Sequence, residues 1–244
     1  MNQVLAIFKR EFAAYFATPL AYVFIVIYLL AMGAFTFYVG NFYETGIADL
    51  RIFFGYHPWL YLFLVPAIGM RLWADERRTG TVELLLTLPI PIWATVLGKF
   101  LAAWAFTGVA LLLTFPIWIT VNVLGNPDNG VIFASYLGSF LMAGGYLAIS
   151  AAISATTDNQ VIAFVVSVTV CFLFTIAGAA LVLDFFQLWA PVVLVNTISS
   201  FSFLTRFQAI SSGVIDLRDV IYFTSLIVLF LAVNVVLIDL KKTG

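Results

Sequence analysis

The chain has 244 residues, 64% of them hydrophobic and 9% charged, with a mean hydropathy of +1.11 and a net charge of −1. A water-soluble domain of that composition would expose one continuous apolar patch, so the solvent for most of the chain is lipid. The near-zero charge excludes a basic nucleic-acid footprint. A single cysteine, Cys171, excludes an intrachain disulfide framework.

The N-terminal stretch MNQVLAIFKREF lacks the pattern of a signal peptide, because charges interrupt its apolar run and no small-residue cleavage site follows. The first span is therefore expected to be a retained anchor. Leu5, Phe8, Phe12 and Tyr15 recur at spacings of three and four, with Lys9, Arg10 and Glu11 between them. That pattern predicts an amphipathic elbow helix lying in the membrane interface, carried by Phe8, Lys9, Arg10, Glu11 and Phe12.

A membrane-crossing helix needs about 20 mostly apolar residues. Charge-free runs place six spans near 19–39, 53–73, 93–122, 131–155, 159–183 and 219–239. His57, at the outer end of the second, reads as an interfacial side chain. Gly144-Gly145 and Ala151-Ala152 in the fourth let helices approach closely, which favours packing over a pathway lining. The Thr-Thr-Asp-Asn run ending at Asn159 is expected to cap the fifth, and Cys171 to be inert inside it.

The run 185–205 carries Gln187, Pro191, Asn196, Ser199, Ser200, Ser202 and Thr205. That is a heavy polar load for a lipid-facing helix. It predicts short extracytoplasmic re-entrant helices between spans five and six, with Ser199–Phe207 as the second piece; the alternative is a seventh span. With six spans and both termini inside, Lys9, Arg10, Arg71, Arg77, Arg78, Lys99, Lys241 and Lys242 are cytoplasmic and Arg51, Arg206 and Arg218 are outside. The positive-inside rule supports that orientation. Trp73 and Trp93 then fall near the inner interface, and Trp59 and Trp118 near the outer one.

The densest charge, "WADERRTGTVELLLTLPIP", lies between spans two and three. Arg71 and Asp75 stand one helical turn apart and can pair. Gly80 can cap a short helix, Thr81–Leu88, whose Glu83 favours the helix N-terminus. Pro89 disfavours helical geometry at Leu88, and Pro91 suits the first turn of the next helix. Eight residues make about 12 Å, too short to cross a bilayer. The segment reads either as a plain positive-inside loop with leucines dipping into the headgroups, or as a coupling helix gripped by a cytoplasmic motor. Lys99, near the inner end of span three, is expected to snorkel. The sequence shows no GxxxxGK[ST] loop, so any ATP used is bound by another chain. It shows no histidine or cysteine cluster for a transition metal, and no constellation of acid, base and nucleophile.

The stretch "DERRTGTVELLLTLPIPIWATVLGKFLA" resembles the signature of ABC-2-type exporter membrane subunits, through Glu76, Gly80, Thr81, Glu83, Leu84, Leu85, Pro89, Gly98 and Lys99. Within that class the chain resembles the gliding-motility-associated permease family, by "FKREFAAYFATPLAYVF", "TDNQVIAF" and "SFLTRFQAISSGVIDLRDVIYF". The resemblance covers nearly the whole chain. It implies an all-α membrane domain over residues 1–244, in the bacterial inner membrane. Asp75, Glu76, Arg77, Arg78, Gly80, Thr81, Glu83 and Leu84 would form the interface with a separate ABC ATPase. It implies two ATPase copies holding ATP and magnesium, a second permease copy or a sister chain, and a companion membrane protein with a large extracytoplasmic domain. No cofactor is expected in this chain. Two functions follow: the permease subunit of an ATP-driven exporter, or a non-transporting subunit that transmits ATP-driven motion to an extracytoplasmic partner.

Overall fold

A computed structural model describes residues 2–81, 89–187 and 190–240. The described residues form helices joined by short turns, with no strand among them. Asn2–Phe16 is α1; extended Thr18 breaks the chain before α2, Pro19–Ala34, which runs on as a π-helical turn over Phe35–Val39. Pro19 sits in the first turn of α2, where a missing N–H leaves nothing unsatisfied. Arg51–Gly55 (α3), His57–Gly69 (α4) and Arg71–Arg78 (α5) follow in series. Ile92–Leu112 (α6) continues into Pro116–Leu124 (α7). Then come Asn129–Ser154 (α8), Gln160–Ile176 (α9), Ala180–Gln187 (α10), Val192–Ser200 (α11), Phe203–Ser211 (α12) and Leu217–Leu240 (α13).

Four of these stretches are long and apolar enough to cross a membrane: Pro19–Val39, Ile92–Leu124, Asn129–Ser154 and Leu217–Leu240. They coincide with the first, third, fourth and sixth spans expected from hydropathy. The fifth, expected over 159–183, is bent by 74° between α9 and α10. The bend has a packing cause. A Cβ at Gly178 would lie 2.7 Å from Cβ of Ser202, so only glycine lets the start of α12 come this close. Ser202 Oγ donates to Thr175 O at 3.1 Å across the same contact.

The second expected span, 53–73, is three helices in series, none long enough to cross alone. Pro58 in the first turn of α4 lacks the N–H that would continue α3, and the chain turns again at Met70. His57, expected at the interface, is fully buried: its Nε2 lies 3.2 Å from Tyr28 Oη and its Nδ1 3.1 Å from Phe53 O.

The core is organised round α8, which packs against α4, α6, α9, α12 and α13. Its small residues do this as expected. A Cβ on Gly144 would meet Ile227 and Trp104 at 2.8–2.9 Å, and Gly145 lies under Phe203. Cys171 is fully buried. The run 185–205 forms no seventh span among the described residues, since α10, α11 and α12 hold at most nine residues each. The piece expected to start at Ser199 starts at Phe203 instead. There Ser202 caps α12 by accepting from Thr205 N, and α11 ends at Ser200.

Helix α1 departs from the expected elbow. It runs beside α6 in the same sense, with Ile7 against Gly98 and Tyr15 stacked on Phe106 at 4.9 Å: eight residues of advance on each helix. The buried face is therefore led by Ile7, while Leu5, assigned to the apolar stripe, is 51% exposed. A protein groove, not lipid alone, receives this helix.

Candidate coupling site at the charged end

The charges between the second and third expected spans gather round one lysine. Lys99, in the second turn of α6, is 3% exposed. Its Nζ lies 2.6 Å from Glu76 Oε1 on α5 and 3.2 Å from Glu11 Oε1 on α1. It also sits 5.5 Å above the ring of Trp73. Lys99 does not snorkel, because two carboxylates meet it inside the protein. Glu76 Oε2 is buried with no partner among the described residues, so the ionic contact of Glu76 runs through Lys99 alone. Glu11 is also held by Arg10 at 2.5 Å. Burial pushes the Glu11 carboxyl up, but Lys99 and Arg10 outweigh it and hold the pKa below its ordinary value.

Helix α5 is fixed on its other side by α8. Ser154 Oγ accepts from Trp73 N at 3.2 Å and Ala74 N at 3.0 Å, and donates to Met70 O at 2.7 Å. One hydroxyl thus satisfies backbone groups freed by the turn at Met70. Asp75, expected to pair with Arg71, turns instead to Arg78 at 3.0 Å and to Gln160 Nε2 at 2.7 Å, which reaches from α9. Arg77 is half-buried; burial lowers its pKa, and nearby Asp158 opposes the shift. Asn159, not Asp158, caps α9, accepting from Val161 N and Ile162 N.

Gly80 stands between two helical stretches, with α5 ending at Arg78 and Thr81 helical again, as expected of a residue that opens the next helix. Its φ is +70°, and it stops α5 as a left-handed glycine after Thr79, with Gly80 N bonded to Arg77 O. Thr81 Oγ1 donates back to Glu76 O at 3.2 Å. Glu83 and Leu84, and with them the expected coupling helix, lie outside the described residues, as do Lys241 and Lys242.

Of the elbow residues, Phe8 stacks on Phe12 at 5.6 Å, Lys9 is exposed, and Glu11 reaches Lys99. Trp93 and Trp59 are exposed, whereas Trp73 is buried beneath Lys99. The structure therefore joins Glu11, Glu76 and Lys99, and adds Trp73, Ser154 and Gln160, which the sequence reading gave no role here. Only the Gly98-Lys99 pair carried a local signal. A polar cavity of about 200 Å³ opens beside them, lined by Glu11, Tyr15, Thr18, Arg71, Asp75 and Lys99 among others.

An all-helical chain with four or five stretches able to span lipid, and a buried ion network at one end, is a multi-pass membrane protein. Residues 5–240 match the pattern of the ABC-2 family transporter proteins, and the chain belongs to that family. It is similar to heme exporter protein B of Rhodobacter capsulatus, at 33% identity over 106 residues, 36% of this chain and 49% of that protein. It is also similar to heme exporter protein B of Escherichia coli K12, at 38% identity over 56 residues, 22% of this chain and 26% of that protein. The chain spans about half the length, or less, of the curated relatives it matches. These likenesses support a transmembrane transporter subunit.

Proposed function

We propose that this chain is the permease subunit of an ATP-driven ABC-2 exporter of the gliding-motility-associated type, moved by a separate ATPase that docks on residues 75–91. The observation that carries the reading is the mounting of α5. It is the helix that leads into the charged loop; side chains of α6, α8 and α9 grip it, and Glu11 of α1 is joined to it through Lys99. A loop emerging from so firm a base can pass a push into the membrane. A loop that merely satisfied charge placement has no need of one.

On this reading the charged end is cytoplasmic, both termini lie inside, and α3–α5 complete the six-span path. Two ATPase subunits bind below two copies of this chain, or below this chain and a sister. ATP and magnesium belong to the ATPase, and a companion membrane protein meets the opposite face. The relatives named as heme exporters favour export as the direction. We assign no cargo, since the one histidine, His57, is enclosed by Tyr28 and Phe53.

The test is Glu83→Arg, with Glu44→Arg on an exposed turn at the opposite end as control. Removing one partner of a desolvated polar contact costs about 2–5 kcal/mol of binding, roughly 30-fold or more in affinity. Glu83→Arg is expected to insert and express normally and to lose the copurifying ATPase; Glu44→Arg is expected to keep it. Full association and full stimulated hydrolysis in Glu83→Arg would remove the docking role.

A further inference from the structure

Lys99 is bonded to two helices that the sequence holds far apart. Glu11 lies on α1 and Glu76 on α5, and Lys99 itself begins the span that follows the loop. If the only requirement were neutrality, one carboxylate would suffice. The neighbouring position points the same way. Gly98 has no side chain, and a Cβ there would lie 2.8–3.2 Å from Ile7 and Val4 O of α1. Two adjacent residues of α6 are thus shaped for α1, one by charge and one by the absence of a side chain. Buried ion pairs are weak sources of net stability, but they are strict about register: a slide of one turn would strand a buried charge. A network of this kind suits a joint that must not slip under load.

We propose that Lys99 is a positioning residue that pins α1 and α5 to the inner end of α6, so that the three helices move as one body when the loop is driven. This rests on the reading of residues 75–91 as the driven segment, and it adds what that reading lacks. The N-terminal helix is not a passive float in the interface but part of the moving unit. Helix α1 stays against α6 throughout the cycle.

The experiment uses the full-length complex in membranes, with Cys171→Ala as background. Tyr15→Cys and Phe106→Cys, at the pair stacked across α1 and α6, are introduced together so that an oxidant fastens α1 to α6 and a reductant frees it. Simply removing Lys99 would leave two half-buried carboxylates and could prevent folding, so the pin is erased neutrally with Glu11→Gln, Glu76→Gln and Lys99→Met. Three results are expected. With Lys99 present, the cysteine pair cross-links to completion and ATPase stimulation survives the cross-link. The neutral triple variant keeps the ATPase bound but loses stimulation by about tenfold or more, the scale on which ångström misplacement is felt. Oxidising the cysteine pair in that triple variant restores stimulation, and reduction abolishes it again.

A cross-link that stops the Lys99-containing complex would overturn the proposal, because α1 and α6 would then have to separate. So would a triple variant that keeps full stimulation, or one that oxidation fails to rescue. If the unmodified chain binds no ATPase, the docking reading falls. The pin is then judged by cross-linking alone, with slower cross-linking in the triple variant expected and an unchanged rate counting against it.

Discussion

The two ends of this molecule are built on different principles. At the charged end, side-chain bonds cross between five helices: Glu11 and Glu76 to Lys99, Ser154 to the Met70 turn, Gln160 to Asp75. At the other end, α10 has no buried residue, and Leu181 and Val193 are 83% and 76% exposed. There the ion pair Arg206–Asp219 at 2.9 Å ties α12 to α13, Arg206 rests on Tyr222, and Tyr222 Oη donates to Phe201 O at 2.6 Å. Directional bonds fix both distance and register, whereas apolar contact fixes only proximity. The bonds at the charged end converge on one helix, α5, while at the other end they hold α12 and α13 and leave α10 without a buried side chain.

The largest expected effect sets the two ends against each other directly. Lys99→Met leaves the half-buried Glu11 and Glu76 without their shared cation and should destabilise the chain by about 1.5–3 kcal/mol. Asp219→Asn keeps a hydrogen bond to an arginine that is 28% exposed, and should cost about 1–2 kcal/mol. Denaturant unfolding in one detergent measures both. Equal losses would mean that the ends are equally rigid and that the contrast is wrong.

Ser154→Ala comes next. It strips the bonds to Trp73 N, Ala74 N and Met70 O without changing the packing much, at an expected cost of about 1–2 kcal/mol. Hydrogen exchange should quicken at residues 70–75 and not in α11 or α12. Uniform quickening over the whole chain would show that the Met70 turn is no separate joint.

The smallest effect is with pH. The Glu11 carboxyl is held below its ordinary value, so its folded pKa is depressed relative to the unfolded chain. Its contribution is complete above the unfolded value and is lost as pH falls through the lower folded one. Thermal stability should not depend on this group at neutral pH and should decline as acid protonates the carboxyl, and Glu11→Gln should remove that share of the decline. An acid decline of the same size in Glu11→Gln would separate Glu11 from the network.

Apolar run length alone placed the first, third, fourth and sixth crossing stretches, because about 20 apolar residues in a row have no other stable solvent. Local chemistry was legible too, in the helix cap within the Thr-Thr-Asp-Asn run and the glycine-permitted contacts of Gly144 and Gly145. What failed was whatever depended on a partner distant in sequence. Lys99 looked like a snorkelling lysine until Glu11 and Glu76 came to it from 88 and 23 positions away. Leu5 belonged to an apolar stripe until the groove of α6 took Ile7 instead. Gly80 read as the start of the next helix, and the structure adds that its left-handed backbone also ends α5. The fifth span broke because Ser202 needed the room at Gly178. Periodicity and hydropathy are properties of neighbours along the chain. Which charge is paired, which face is buried and where a helix bends are settled by contacts that exist only once the helices have packed.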